Sequence, residues 1–214
     1  MDHSAEASFR LAVGLVWFTN TAVRLYYQRK AVGAERAFAR NERRERIAFG
    51  LFLAAYLLIL LYVFRPWLDF AALPFSATLR WSIGGGCLLF SLALFGWTHR
   101  TLGRNWSGAL EIHTGHVLVV DGPYRLVRHP MYAAFYLSGL GYFLLTANGM
   151  VGLTFFGALT WMYGGRVGPE ERMMVEQFGA AYESYMRSTG RLLPRIRPDR
   201  PAPLVNGNPS DVHP

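Results

Sequence analysis

The densest group of chemically capable side chains lies between residues 121 and 132. This stretch, DGPYRLVRHPMY, contains a histidine, two arginines, two tyrosines and two prolines. Pro130 is expected at the first position of a helix, where the following backbone N–H groups stay free at the positive end. Such an end can hold a carboxylate, so Arg128-His129-Pro130 suits an anionic group of a cofactor or substrate. The alternative is a capped membrane helix with two basic residues that reach the headgroups.

A second charged group consists of Arg166, Glu170 and Glu171. It follows the last two apolar segments of the chain, which are separated by only two residues and predict a tight helical hairpin. The hairpin would bring this group beside His129. Arg166 and Glu170 are four residues apart and could simply pair on one helix face. Because this group would lie beside a second charged group at a membrane edge, a functional site is the better interpretation.

The helices that position both charged groups are expected to form from the apolar segments of the chain. Of the 214 residues, 52% are hydrophobic and 17% are charged, which is typical of a membrane protein when the apolar residues are concentrated. We expect an all-α integral membrane protein with about five transmembrane helices. The five apolar segments are 11–27, 47–64, 79–98, 132–147 and 150–164. The last two are short for a crossing, so a re-entrant pair is the alternative to a hairpin.

Charge placement predicts the topology. The formal net charge is +8, but the arginines flank the apolar blocks, which favours membrane orientation over nucleic-acid binding. The connections after the first and third segments and the C-terminal part are rich in arginine. We therefore expect a multi-pass protein of a prokaryotic inner or plasma membrane, with the N-terminus outside and the C-terminus cytoplasmic. Cys87 is the only cysteine, and His113 and His116 lack further ligands at a suitable spacing, so no metal is expected.

The two cytoplasmic pieces have recognisable local patterns. Residues 116–120 resemble a short strand and are followed by a turn at 121–123. Pro169, with two acidic residues after it, indicates a helix start. An apolar stripe then predicts a C-terminal interfacial helix; its members are Met174, Phe178, Tyr182 and Tyr185. From Pro194 onward, the prolines and polar residues indicate a disordered tail. We divide the chain into a three-span region (1–98), a core (99–194) and a polar tail (195–214).

The order of these motifs resembles the isoprenylcysteine carboxyl methyltransferase family and the wider group of membrane phospholipid methyltransferases. The resemblance covers roughly residues 100–194. It is carried by His116-Val117-Leu118-Val119, Gly122-Pro123-Tyr124, Arg128-His129-Pro130-Met131-Tyr132, an apolar hairpin, Glu170-Glu171, and Phe178-Gly179 with Tyr182 and Tyr185.

This resemblance implies S-adenosylmethionine as the cofactor, in a cytoplasmic-side pocket that opens toward the bilayer. The residues implied to line it are His116, Val117, Leu118, Val119, Tyr124, His129, Pro130, Met131, Tyr132 and Glu170. Arg166 matches the substrate-contacting arginine of the family, and Arg166, Glu170 and His129 are the implied catalytic residues. Two departures stand out: Ala134 replaces a frequent glycine after the motif tyrosine, and Ala109 replaces a frequent glutamine.

The implied reaction is methyl transfer to a lipophilic small molecule or lipid-modified acceptor that enters from the bilayer among the membrane lipids. A carboxylate acceptor, such as a prenylcysteine-like C-terminus, needs no general base, and Arg166 would orient it. An amine or thiol acceptor, as in phospholipid or thiol methylation, needs a base, for which Glu170, Glu171 and His129 are candidates.

Two other functions fit parts of the sequence. A membrane reductase that uses NADPH carries a related C-terminal motif, but such chains have many more spans. A scaffold that binds lipid headgroups without catalysis would not depend on Glu170, because an acid repels anionic lipid.

Overall fold

The computed structural model describes residues 3–31, 36–39, 42–65, 70–103, 111–113 and 117–195. Its helices are α1 (His3–Ala31), α2 (Glu42–Phe64), α3 (Ala77–Leu79), α4 (Gly86–Leu102), α5 (Pro130–Thr146), α6 (Gly149–Phe178) and α7 (Ala180–Ser188). A π-helical segment, Arg80–Gly85, joins α3 to α4, so that Ala77–Leu102 form one continuous helix. The five predicted apolar segments are therefore helical, except that residue 147 lies just past the end of α5. The proposed disordered tail lies, from residue 196 onward, outside the described residues.

Exposed apolar side chains cover the outer surface of the helices. Among the most exposed are Leu11, Leu15, Leu89, Phe90, Leu153 and Trp161, with between 57% and 71% of their surface accessible. Large exposed apolar side chains on several helices are suited to lipid rather than water. Two helices, Arg46–Phe64 and Ala77–Leu102, are long and apolar enough to cross a membrane. The structure thus has a mostly helical architecture suited to a membrane.

A small sheet was not predicted, so the all-α class is incomplete. Strands β1 (Arg36–Ala39) and β2 (Glu111–His113) pair antiparallel. This sheet ties the α1–α2 connection to the α4–α5 connection at one end of the helices. The strand predicted at 116–120 is wrong for 117–120, which form no regular structure. Strand β1 pairs with β2 instead, so residues 117–120 have no strand partner among the described residues. Apolar residues without such a partner do not form a strand.

The α5–α6 hairpin has the predicted tight turn. Ala147 adopts a left-handed conformation with φ of 49°, and the Asn148 side chain caps α6 by accepting a hydrogen bond of 3.1 Å from Val151 N. The two helices therefore run back along each other, and the C-terminal half of α6 returns to the start of α5.

Helix α6 continues through Pro169, so the helix start predicted there is wrong. A proline inside a helix costs about 3 kcal/mol, since it removes a backbone donor. The packing of α6 on α2 and α5, and ion pairs beyond the proline, outweigh this cost. Helix α6 ends at Phe178 and is followed by Gly179, where φ is 52°. The apolar stripe predicted for one helix is consequently divided between α6 and α7.

Arg80 stabilises the end of the helices at which the α5–α6 turn lies. Its side chain is fully buried, with Nε donating to Leu145 O at 2.9 Å and a terminal nitrogen pairing with Glu6 at 2.9 Å. Nearby, a Cβ on Gly84 would lie 3.0 Å from the backbone nitrogen of Leu145. The continuous helix and α5 therefore approach each other closely at Gly84. Both charged groups predicted to form the site lie at the opposite end.

Candidate functional site

The predicted turn after Asp121 is confirmed as a short 3₁₀ helix, Gly122–Arg125. Gly122 has a φ of 58°, and a Cβ there would lie 2.7 Å from the hydroxyl oxygen of Thr101 on α4. Only glycine fits both the backbone angle and this close approach. The turn presses against the end of α4 and presents Tyr124, whose carbonyl accepts a hydrogen bond of 2.6 Å from the Tyr185 hydroxyl.

His129 occupies the N-cap position of α5, and Pro130 is the first helical residue, as predicted. The imidazole is buried, with 5% of the residue exposed. Its Nδ1 lies 3.7 Å from Oε1 of Glu170, and its Nε2 lies 3.2 Å from Oε1 of Glu171. The hairpin therefore brings the Glu-Glu pair beside the histidine, as the sequence predicted.

The two adjacent glutamates have different environments. The Glu170 side chain is 38% exposed, whereas that of Glu171 is 7% exposed. Arg128 donates to Glu171 Oε1 from Nε and from a terminal nitrogen, at 3.0 and 2.9 Å. Arg191 donates to Glu171 Oε2 at 3.1 and 2.6 Å. Glu171 is thus the centre of a charged cluster that we call the Glu171 cluster: Arg128, His129, Glu171 and Arg191.

This cluster keeps Glu171 ionised. Burial by itself would raise the pKa of Glu171, but hydrogen bonds from His129, Arg191 and Arg128 outweigh it and hold the pKa well below its ordinary value. The same pairing raises the pKa of Arg191. A carboxylate with both oxygens occupied and a depressed pKa is a poor proton acceptor, so Glu171 is unsuited to the role of general base.

Aromatic rings surround the buried face of His129. Tyr132 is 9% exposed, and its ring centroid lies 5.9 Å from that of His129 and 5.1 Å from that of Tyr163 on α6. Burial, followed by the charge of Glu170, raises the pKa of Tyr124 well above its ordinary value. Tyr124 therefore stays a neutral phenol.

The remaining predicted cofactor-binding residues differ in how deeply they are buried. Pro130 is buried and Met131 is partly buried at the start of α5, whereas Val117 is 63% exposed. Leu118 and Val119 are partly buried in the segment that leads into the turn. His116 lies outside the described residues, as does Ala109. Arg166 is partly buried on α6, one helical turn before Glu170.

Ala134, at the position where the sequence departs from the family, faces the helix packing. It is completely buried, and its carbonyl accepts a hydrogen bond of 2.9 Å from Ser91 on α4. Ala134 is therefore accommodated within the packed interior of the helices.

Three residues of the cluster were not among the predicted site residues. Glu171 was predicted only as a member of the second charged group and as a candidate base, and Arg128 only as part of the Arg128-His129-Pro130 motif. Nothing in the local sequence marks Arg191, because its partner Glu171 lies 20 residues earlier, on α6, whereas Arg191 follows the end of α7. Tyr163 was likewise hidden within an apolar segment.

The geometry can now be compared with known proteins. The model of the isoprenylcysteine carboxyl methyltransferase (ICMT) family matches residues 84–176, which include α5, Arg128, His129 and both glutamates. The predicted family resemblance is confirmed. The chain is 37% identical over 81 residues to the protein-S-isoprenylcysteine O-methyltransferase of Schizosaccharomyces pombe, covering 38% of this chain and 34% of that protein. With the protein of the same name from Saccharomyces cerevisiae it is 27% identical over 192 residues, covering 88% of this chain and 79% of that protein.

A solved structure has a similar fold. The eukaryotic intramembrane Ras methyltransferase ICMT aligns with a TM-score of 0.50 and 22% identity, over 75% of this chain and 55% of that one. At this identity the likeness concerns the fold. The chain spans about a third of the S. pombe relative, and the ICMT match ends at residue 176, before α7 and Arg191.

Proposed function

We propose that this protein is an integral-membrane, S-adenosylmethionine-dependent methyltransferase that acts on a lipophilic acceptor. The observation that carries the proposal is the juxtaposition of His129 and Glu170 at the start of α5, within the region that matches the ICMT family. The apolar exterior of the helices supports an acceptor that arrives from the bilayer. A carboxylate acceptor, such as a prenylcysteine-like C-terminus, fits the names of the relatives best.

The chemistry of the donor set suits S-adenosylmethionine. Glu170 is partly exposed and provides a negative charge for the ammonium or sulfonium group, while Glu171 is already paired with two arginines. The N-terminal turn of α5 offers backbone N–H groups to the carboxylate. Tyr124 and Tyr132 provide aromatic surface for the adenosine. When bound, the cofactor would supply an electrophilic methyl group.

The residues of the chain would then bind, orient and exclude water. Arg166, one turn from Glu170, would hold an anionic acceptor. An ionised carboxylate needs no proton removed, so alignment and exclusion of water would provide most of the acceleration. For an amine or thiol acceptor, His129 and Glu170 remain the candidate bases, because the lone pairs of Glu171 are occupied.

For the membrane topology, we propose five crossings: α1, α2, the continuous helix Ala77–Leu102, α5 and α6. The pairing of β1 with β2 supports this alternation, since it joins two connections expected on the same side. The arginine-rich connections support a cytoplasmic location for that side and for the site. The boundaries 1–98, 99–194 and 195–214 remain a proposal for the domain organisation, and the prokaryotic membrane a proposal for the location.

Cofactor binding tests the proposal directly. Purified protein in detergent should bind radiolabelled S-adenosylmethionine, and Glu170→Ala and His129→Ala should weaken binding. Glu176→Ala is the matched control, because Glu176 is an exposed acid on the same helix. The proposal fails if the folded wild-type protein shows no binding, or if NADPH binds in its place.

Arg166→Ala separates the acceptor from the cofactor. We expect it to retain affinity for S-adenosylmethionine and to lose methyl transfer to a prenylcysteine carboxylate. Arg172→Ala, a change at an exposed arginine of α6, should retain both. Equal loss of binding and turnover in Arg166→Ala would place Arg166 in the cofactor site.

A further inference from the structure

The chain segment after α7 forms part of the candidate site. Arg128 N donates to Gly190 O at 2.8 Å, and His129 N donates to Arg191 O at 3.0 Å. A parallel bridge between Val127 and Gly190 extends this pairing. The residues before α5 are therefore held by a segment that lies beyond the family match at 84–176.

The side chain of Arg191 completes the coordination of Glu171. Glu171 Oε1 accepts hydrogen bonds from Arg128, from His129 Nε2 and from Arg191 Nε, while both bonds to Oε2 come from Arg191. Arg191 and Arg128 together hold the carboxylate with Oε1 directed at the imidazole.

The cluster also fixes the proton on the histidine ring. An ionised carboxylate only accepts hydrogen bonds, so His129 Nε2 must carry the hydrogen in its contact with Glu171. This leaves Nδ1 on the Glu170 side of the ring, 3.7 Å from Glu170 Oε1. The orientation of His129 toward Glu170 thus depends on the carboxylate that Arg191 holds.

We propose that Arg191 is a positioning residue, which acts through Glu171 to fix the ring orientation and the Nε2–H tautomer of His129. The proposal rests on the proposed function, in which His129 and Glu170 face the cofactor. Because the Arg191 side chain is 54% exposed, its ion pair adds little to folding stability, and positioning can be measured separately.

The test compares Arg191→Ala, Arg191→Lys and the control Arg187→Ala, which removes an exposed arginine from α7. Proteins labelled with ¹⁵N-histidine are examined by NMR, and the His129 signals are assigned by their loss in His129→Gln. Wild type and Arg187→Ala should show a hydrogen fixed on Nε2, whereas Arg191→Ala should show both tautomers.

Binding of S-adenosylmethionine is measured on the same samples. Arg191→Ala should bind about tenfold or more weakly, as expected when charge-assisted hydrogen bonds that orient a ligand contact are lost. Arg191→Lys should recover part of this loss, because an ammonium restores the charge but not the two-point contact. The thermal midpoints of Arg191→Ala and Arg187→Ala should agree to within about 4 °C.

An unchanged His129 spectrum in Arg191→Ala overturns the proposal, even if binding weakens, because Arg191 would then act on the ligand directly. Altered tautomers with unaltered binding overturn it as well. If the wild type binds no S-adenosylmethionine, the proposed function fails, while the spectrum still decides whether Arg191 orients the ring.

Discussion

Replacing Glu171 with glutamine should destabilise the packing of the C-terminal segment on α5 by about 3 kcal/mol. The change preserves shape but removes the charge that Arg128 and Arg191 share. The Arg128 side chain is only 7% exposed, so its guanidinium would be left beside a neutral amide. The amide nitrogen would also face a donor, because a glutamine has one accepting oxygen where the carboxylate has two.

The magnitude follows from the burial of each partner. Removing one member of a buried ion pair costs about 3 to 5 kcal/mol. Arg128 keeps its hydrogen bonds to the carbonyls of Met186 and Thr189, which places the cost at the lower end. Arg191 is 54% exposed, and its share is about 1 kcal/mol or less.

Hydrogen exchange in detergent provides a local assay. The amides of Arg128 and His129 donate to carbonyls of the C-terminal segment, so their protection reports how often that segment opens. Glu171→Gln should lower the opening free energy of these amides by about 3 kcal/mol. Glu176→Gln, on the exposed side of the same helix, should change it by less than about 0.5 kcal/mol. A loss under about 1 kcal/mol, or an equal loss in both variants, would refute the assignment of Glu171 as a buried ionic centre.

Three further predictions concern helix packing, the opposite end of the helices and pH. Gly84→Ala should destabilise the protein by about 1 to 3 kcal/mol, because the new methyl group meets the backbone of α5. Gly86→Ala is the control and should not destabilise it, because a Cβ there meets open space. Equal unfolding midpoints for the two variants would contradict this prediction. Tyr62→Phe should cost about 1 to 2 kcal/mol in denaturant titration, since the hydroxyl donates to Glu6 at 2.8 Å; an unchanged midpoint would show that this bond contributes nothing. Because folding depresses the pKa of Glu171, its contribution is present above the ordinary glutamate pKa of about 4.3 and is lost as the pH falls toward the folded-state pKa. The stability gap between wild type and Glu171→Gln should therefore shrink below about pH 4, and a gap independent of pH would argue against an ionised Glu171.

The sequence predicted the elements whose signals are local. Apolar blocks of helical length can satisfy their backbone only as helices in lipid, and all five are helical in the structure. The two-residue connection at Asn148 forced a hairpin, which in turn brought Glu170 to within 3.7 Å of His129. The start of α5 at Pro130 was equally readable, because proline fits the first turn of a helix.

The predictions at Pro169 and at residues 117–120 were wrong, because contacts with distant parts of the chain outweigh the local preferences. Pro169 is a common helix start, yet α6 passes through it because packing on both sides holds the helix. Residues 117–120 have strand-forming side chains, but β1 pairs with residues 111–113 instead. In both cases the energy of a partner elsewhere in the chain exceeds the preference of the segment itself.

The sequence by itself determined that a histidine and two adjacent acids meet at one end of a helical hairpin. Only the tertiary structure decided which acid does what. Successive residues on a helix point about 100° apart, so Glu170 stays partly exposed near His129 Nδ1 while Glu171 turns inward. Arg191 then pairs with Glu171 from 20 residues away, across the break at Gly179. A contact between α6 and the segment after α7 depends on how that segment packs on the helices, and the packing is set by the whole chain rather than by any one stretch of it.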